Sequence, residues 1–147
     1  MPDLHFKPAT TADANMLADI RTDAMRPSLT ALNRIDPIRV RERFLSTFNA
    51  SDTPLIMYRN QCAGFFVLRH NPDHIYLDHL YLSPSVQGLG LGGAVIKSIQ
   101  QTATQPIRLM ALKDSPANAF YKSQGFKFMR ATEYDNHYEW DAPHRGA

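Results

Sequence analysis

Residues 75–93, IYLDHLYLSPSVQGLGLGG, constrain the chain more than any other stretch. A β-branched and aromatic run passes through Ser83-Pro84-Ser85 into Gln87-Gly88-Leu89-Gly90-Leu91-Gly92-Gly93, and a helical pattern follows at once. A strand is therefore expected to feed a glycine-rich loop that opens a helix. Glycines allow a positive φ and a close approach of backbone to ligand, so consecutive N–H groups can face phosphate oxygens. The helix start adds unpaired donors and the positive end of its dipole. The stretch predicts a phosphate or pyrophosphate site, and two spacings fit it. Gly88-x-Gly90-x-x-Gly93, with Asp114 further on, matches a dinucleotide fingerprint. Gln87-x-x-Gly90-x-Gly92 is the other. No Gly-Lys-Ser/Thr follows, which excludes a nucleotide-hydrolase loop.

At 147 residues the chain reads as a single domain, 1–147, able to bury roughly 70% of its unfolded surface. Its net charge of +2 comes from scattered Lys and Arg, which offers no case for nucleic acid. Cys62 is the single cysteine, so no internal disulfide is expected, and it reads as a small buried hydrophobe in a reducing compartment. MPDLHFKPAT lacks the basic and apolar segments of a signal peptide, and no apolar run has membrane-spanning length. A cytoplasmic protein without membrane association is expected. No metal-binding pattern is evident.

Leu4–Lys7 reads as a first strand, and Thr10 with Asp13 as a capping box. Leu17, Ile20, Ala24 and Met25 form a helical stripe running at least to Arg26-Pro27. Asp36-Pro37 reads as an N-cap followed by Pro at N1, opening a helix over 37–49 with Val40, Phe44 and Phe48 inward. Pro54–Tyr58 and Cys62–Arg69 read as a hairpin joined through Arg59-Asn60-Gln61. Then come strand 75–82, helix 89–104 with Val95, Ile96, Ile99 and Ala103 buried, and strand 107–112. Ser115 is expected to cap a short helix with Pro116 at N1, and Gly125 to end it as C′, with Phe126 packing back. Strands 126–131 and 134–140 close the fold, and the tail 142–147 is expected to be mobile.

That order bears on the loop. A dinucleotide domain places its fingerprint at the first of several βαβ units, whereas here three or four strands and two helices come first. Gln87-x-x-Gly90-x-Gly92 instead resembles the pyrophosphate loop of the GCN5-related N-acetyltransferase (GNAT) family. Asp114–Phe126, DSPANAFYKSQGF, is similar to that family's Asn-x-x-Ala-x-x-x-Tyr-x-x-x-Gly-Phe. The resemblance covers nearly the whole chain and is strongest from Ile75 to Phe126. It implies an α/β (α+β) fold: a mixed, mostly antiparallel six- to seven-stranded sheet with about four helices, splayed between strands 75–82 and 107–112.

The resemblance also implies acetyl-CoA as co-substrate. Its pyrophosphate would meet the backbone of Gln87, Gly88, Leu89, Gly90, Leu91 and Gly92, and its pantetheine the backbone of Leu80 and Leu82. A free strand edge suits an amide-containing arm. Ser115 and Asn118 are further cofactor-side candidates. Tyr121 matches the tyrosine that protonates the departing thiolate; its plainer reading is an aromatic beside Phe120 and Phe126. Asp78 lies where relatives carry a base. Alternation puts Tyr76, Asp78 and Leu80 on one face and Leu77, His79 and Tyr81 on the other. The acceptor is assigned to the Asp78 face, which leaves His79 as the alternative base. The plainer readings are an Asp paired with a nearby Arg or Lys and a His packed against a helix.

Two departures from the family pattern matter. Asp114 stands where Asn is usual, with Ser115 as a replacement donor. Met110 stands where relatives that acetylate protein N-termini place a catalytic Glu, which argues against that substrate class. Arg26 and His137 are candidates for the acceptor cavity or plain surface residues. The reading is an N-acetyltransferase acting by direct transfer in a ternary complex on a small-molecule amine, with a homodimer compatible. The alternative is a CoA-binding regulatory module without transferase activity. A nicotinamide-dependent oxidoreductase is disfavoured by element order.

Overall fold

The computed structural model describes residues 3–31 and 37–142, the side chains of 26–31 and 37 excepted. Seven strands and four α-helices alternate along it: β1 Leu4–Pro8, α1 Ala14–Ala31, α2 Pro37–Thr47, β2 Pro54–Tyr58, β3 Gln61–His70, β4 Ile75–Leu82, α3 Leu91–Thr102, β5 Ile107–Leu112, α4 Ala117–Ser123, β6 Lys127–Ala131 and β7 Asp135–Trp140. The strands follow the order β1-β2-β3-β4-β5-β7-β6 in one mixed, mostly antiparallel sheet. The chain divides into two compact units, one holding the chain up to Val67 with His79–Leu91, the other Leu68–Asp78 with Gly92 onward.

In the first unit, the Thr10 N–H donates to Asp13 Oδ2 at 2.8 Å, a capping box on the 3₁₀ turn Thr11–Asp13 that leads into α1. Leu17 and Ala18 on α1, Phe44 on α2, Leu55 on β2 and Phe65 and Val67 on β3 form the buried core. Asp19 of α1 binds Arg41 of α2. The β2–β3 hairpin turns on Arg59 (φ 52°) and Asn60 (φ 63°), two consecutive left-handed residues as a two-residue turn of the primed type demands. Gly64 lies where a Cβ would sit 2.1 Å from the Tyr81 carbonyl oxygen, so only glycine lets the backbone of β4 approach there.

In the second unit, β5 and β7 pair antiparallel from Ile107↔Trp140 to Leu112↔Asp135. Among the described residues, the parallel β4–β5 register covers only Ile75↔Ile107 and Tyr76↔Arg108. The two strands thus pair at their starts. Val95, Ile96 and Ile99 on α3 and Ala103 just after it are buried, matching the expected stripe.

Some boundaries move. α1 continues through Pro27 to Ala31, and α3 begins at Leu91, two residues after the expected start. The α4 cap falls on Pro116, without a side-chain hydrogen bond, and not on Ser115. The expected Asp36 cap, the Arg26 side chain and the tail from 143 lie outside the described residues. Among the described residues no helix is long and apolar enough to cross a membrane.

Candidate active site

The first unit carries the glycine loop. After β4, a 3₁₀ turn over Pro84–Val86 engages the N–H of Val86 with Ser83 O at 3.0 Å and that of Gln87 with Pro84 O at 3.4 Å. Gly88 (φ 84°) and Gly90 (φ 79°) then turn the chain left-handed into α3. Among the described residues the N–H groups of Gly88, Leu89 and Gly90 find no acceptor within the chain. A Cβ on Gly88 or Gly90 would meet no atom within 4 Å, so it is the positive φ and not crowding that asks for glycine here. Leu91 behind them is 1% exposed and anchors the helix start. Three unpaired donors before a helix N-terminus suit an anion.

Gln87, expected on the cofactor, turns its side chain inward: Nε2 donates to Leu82 O at 3.1 Å. It ties the loop to the strand end, and it occupies a carbonyl assigned above to pantetheine.

The second unit carries the other motif. Asp114 adopts φ 67°, a left-handed conformation that Asp and Asn reach more readily than other non-glycine residues. After α4, Gly125 (φ 90°) donates to Lys122 O and Phe126 to Tyr121 O, both at 3.1 Å. This is the Schellman pattern, whose hydrophobic contact joins C″ to C3. Here those residues are Phe126 and Tyr121, their ring centroids 5.8 Å apart. The Tyr-x-x-x-Gly-Phe spacing is thus the spacing of a helix end, and it fixes the Tyr121 ring. Tyr121 is 8% exposed and also meets Phe120 at 5.3 Å.

Asn118 departs from expectation. Its Nδ2 donates to Leu112 O (2.8 Å) and Ser115 O (2.9 Å), and its Oδ1 accepts from Asn136 Nδ2 (3.0 Å) and Tyr138 Oη (2.7 Å). Two donors and two acceptor positions are all engaged. Asn118 is a brace joining the end of β5, the start of α4 and β7, with no hydrogen-bonding position left for a cofactor. The Ser115 hydroxyl has a weak contact with Asn118 Nδ2 at 3.4 Å.

The two candidate bases stand in different surroundings. Asp78 Oδ2 accepts from Arg69 Nε at 3.1 Å, an ion pair whose side chains are 30% and 29% exposed. Burial lifts the Tyr76 phenol above its ordinary range, and the charges of Asp78 and Asp135 add to the shift. Asp78 is thus close enough to Tyr76 to act on it, as alternation requires. His79 instead belongs to an aromatic cluster, with centroids 5.7 Å from Phe44, 6.5 Å from Phe65 and 5.6 Å from Tyr81. Both plainer readings of these residues are therefore realised: an aspartate paired with arginine and a histidine packed against a helix. His137 shares a 3.0 Å contact between its Nε2 and Thr132 Oγ1.

Arg21 was missed. It is 8% exposed on α1, and its Nη1 donates to Val40 O at 3.0 Å. Leu17, Arg21 and Met25 recur every four residues, so the stripe that the sequence displays runs through this cation.

Residues 17–141 match the acetyltransferase (GNAT) domain family. Among solved structures, the chain is similar to the PaiA N-acetyltransferase of Thermoplasma acidophilum in complex with coenzyme A (13% identity, 94% of this chain and 98% of that chain covered, TM-score 0.75). It is likewise similar to YjaB of Escherichia coli in its apo form (17%, 93% and 97%, 0.75) and to an acetyltransferase of Thermus thermophilus (19%, 94% and 96%, 0.73). At these identities the likeness is one of fold. No curated protein sequence matches the chain.

Proposed function

This chain belongs to the GNAT acetyltransferase family, and we propose that it is a cytoplasmic enzyme transferring an acetyl group from acetyl-CoA to the amine of a small molecule, both substrates bound together. The observation that carries the cofactor assignment is the row of amides at Gly88, Leu89 and Gly90, without internal acceptors and directly before α3. They suit the pyrophosphate. The backbone of Leu80 suits the pantetheine arm, with Gln87 holding the loop in register through Leu82 O. Ser115 is the remaining side-chain candidate near the α4 turn.

In the transfer, the amine nitrogen bonds to the thioester carbon and the carbon–sulfur bond breaks. Two proton transfers matter: the first takes a proton from the ammonium before attack, and the second delivers one to the departing thiolate, replaced by the proton that the nitrogen sheds as the amide forms. Tyr121 supplies the second, and its fixed ring supports that role. Asp78 takes the first if the amine approaches the Tyr76 and Asp78 face of β4, and His79 takes it if the amine approaches the opposite face.

Release of CoA from acetyl-CoA, measured over a panel of amines, polyamines and amino acids, tests the activity. Turnover with at least one amine is expected. Tight CoA binding with no turnover on any of them would favour the regulatory module. Asp78→Asn and His79→Ala, compared on a working substrate, decide the face: the base variant loses activity most below the amine pKa, roughly 10, and recovers part of it at high pH.

A further inference from the structure

We propose that Arg21 is an anion-binding residue that holds a carboxylate on the acceptor, so that the preferred substrates are amino-acid-like amines. The inference deepens the acetyltransferase reading and rests on it. Arg21 is more than nine-tenths buried, yet among the described residues no carboxylate pairs with it. Its one hydrogen-bond partner there is the neutral Val40 carbonyl. Its Nε is buried without any partner. The guanidinium lies over two aromatic rings, 6.0 Å from the Phe44 centroid and 5.9 Å from that of Tyr81. Cation–π contacts offset only part of the cost of removing a guanidinium from water. Buried charges are otherwise paired or bound to a ligand.

The remaining nitrogen, Nη2, has no partner in the chain among the described residues and is not among the fully buried atoms. It is the donor an incoming anion can reach. The guanidinium is planar and presents a fork that matches a carboxylate. Tyr81, whose ring lies beneath it, follows Leu80 on β4, the strand proposed to carry the pantetheine. A carboxylate held at Arg21 therefore keeps its amine beside that strand. It also places the acceptor on the His79 and Tyr81 face, opposite the face assigned from the sequence.

The test is calorimetric binding to the CoA-loaded protein, using matched pairs that differ by the carboxylate. Lysine is compared with 1,5-diaminopentane, phenylalanine with 2-phenylethylamine and with phenylalanine amide. Glycyl-phenylalanine is added to distinguish a peptide C-terminus from a free amino acid. Wild type is expected to favour the carboxylate member on the order of 10- to 100-fold, in the free or the peptide arm. In Arg21→Met that preference is expected to fall to about one. Equal binding within every pair, no binding by any carboxylate, or a preference that survives in folded Arg21→Met would overturn the proposal. If Arg21→Met does not fold, the wild-type pairs decide alone. Failure of CoA itself to bind would instead contradict the acetyltransferase reading, and the same pairs titrated into the unloaded protein would still decide on Arg21.

Discussion

The loop at Gln87–Leu91 and the turn and helix at Asp114–Phe126 both stand out in the sequence, yet they treat their polar groups in opposite ways. In the loop, three successive amides have no internal acceptor among the described residues. Around α4, the Asn118 amide is fully engaged and the helix ends in two internal hydrogen bonds. A motif with unpaired donors points to a ligand. A motif with satisfied ones points first to architecture, and Tyr121 takes its place from that architecture.

The sharpest way to break this contrast is Gly90→Val. At φ 79° a β-branched residue is strained, so valine would shift the backbone that presents the amides. CoA affinity is expected to fall by about 100-fold or more by calorimetry, with the circular dichroism spectrum of a folded protein. Unchanged affinity would remove the loop from the cofactor site.

Next in size is Tyr121→Phe. The ring contacts with Phe120 and Phe126 persist and the hydroxyl goes. Turnover is expected to drop on the order of 10²-fold, with CoA affinity changed far less. Wild-type turnover would make Tyr121 a helix-end residue and nothing more.

Asn118→Ala tests the architectural side. It leaves Leu112 O, Ser115 O and the Tyr138 hydroxyl short of a partner, so chemical denaturation should show a loss of about 1–3 kcal/mol. CoA affinity should change only a few-fold. A large loss of affinity at unchanged stability would restore Asn118 as a cofactor ligand.

The smallest effect concerns Cys62, where burial pushes the thiol pKa up. Alkylation near pH 8 is expected to run several-fold slower than for an exposed cysteine, because thiolate is the reactive form. The sign for stability follows. The raised folded pKa favours the neutral thiol, a contribution complete below the unfolded value of about 8.5 and lost as pH rises through the folded one. Faster labelling in the fold would contradict this.

Much of the architecture was legible because it is local. Strands 75–82 and 107–112 match β4 and β5 to the residue, since alternation and flanking Pro and Gly mark them in the sequence itself. Gly125 and Phe126 were readable because a Schellman end depends on five or six neighbouring residues. What could not be read depends on distant partners. Arg21 is buried by Phe44 and Tyr81, from two other elements. Asp78 meets Arg69 across neighbouring strands, and Asn118 meets Tyr138 twenty residues away. The Gln87 side chain, of which the sequence says nothing beyond its backbone role, turns back to Leu82 because the 3₁₀ turn brings that carbonyl within reach.

The account rests on the loop amides as the seat of the CoA pyrophosphate. Titrating CoA into ¹⁵N-labelled protein and following the backbone amide resonances tests this directly. The largest shifts are expected at Gly88, Leu89 and Gly90, with the helix-end amides of Gly125 and Phe126 nearly unmoved. CoA binding that leaves residues 88–90 unshifted, or shifts there with NAD and none with CoA, would contradict it.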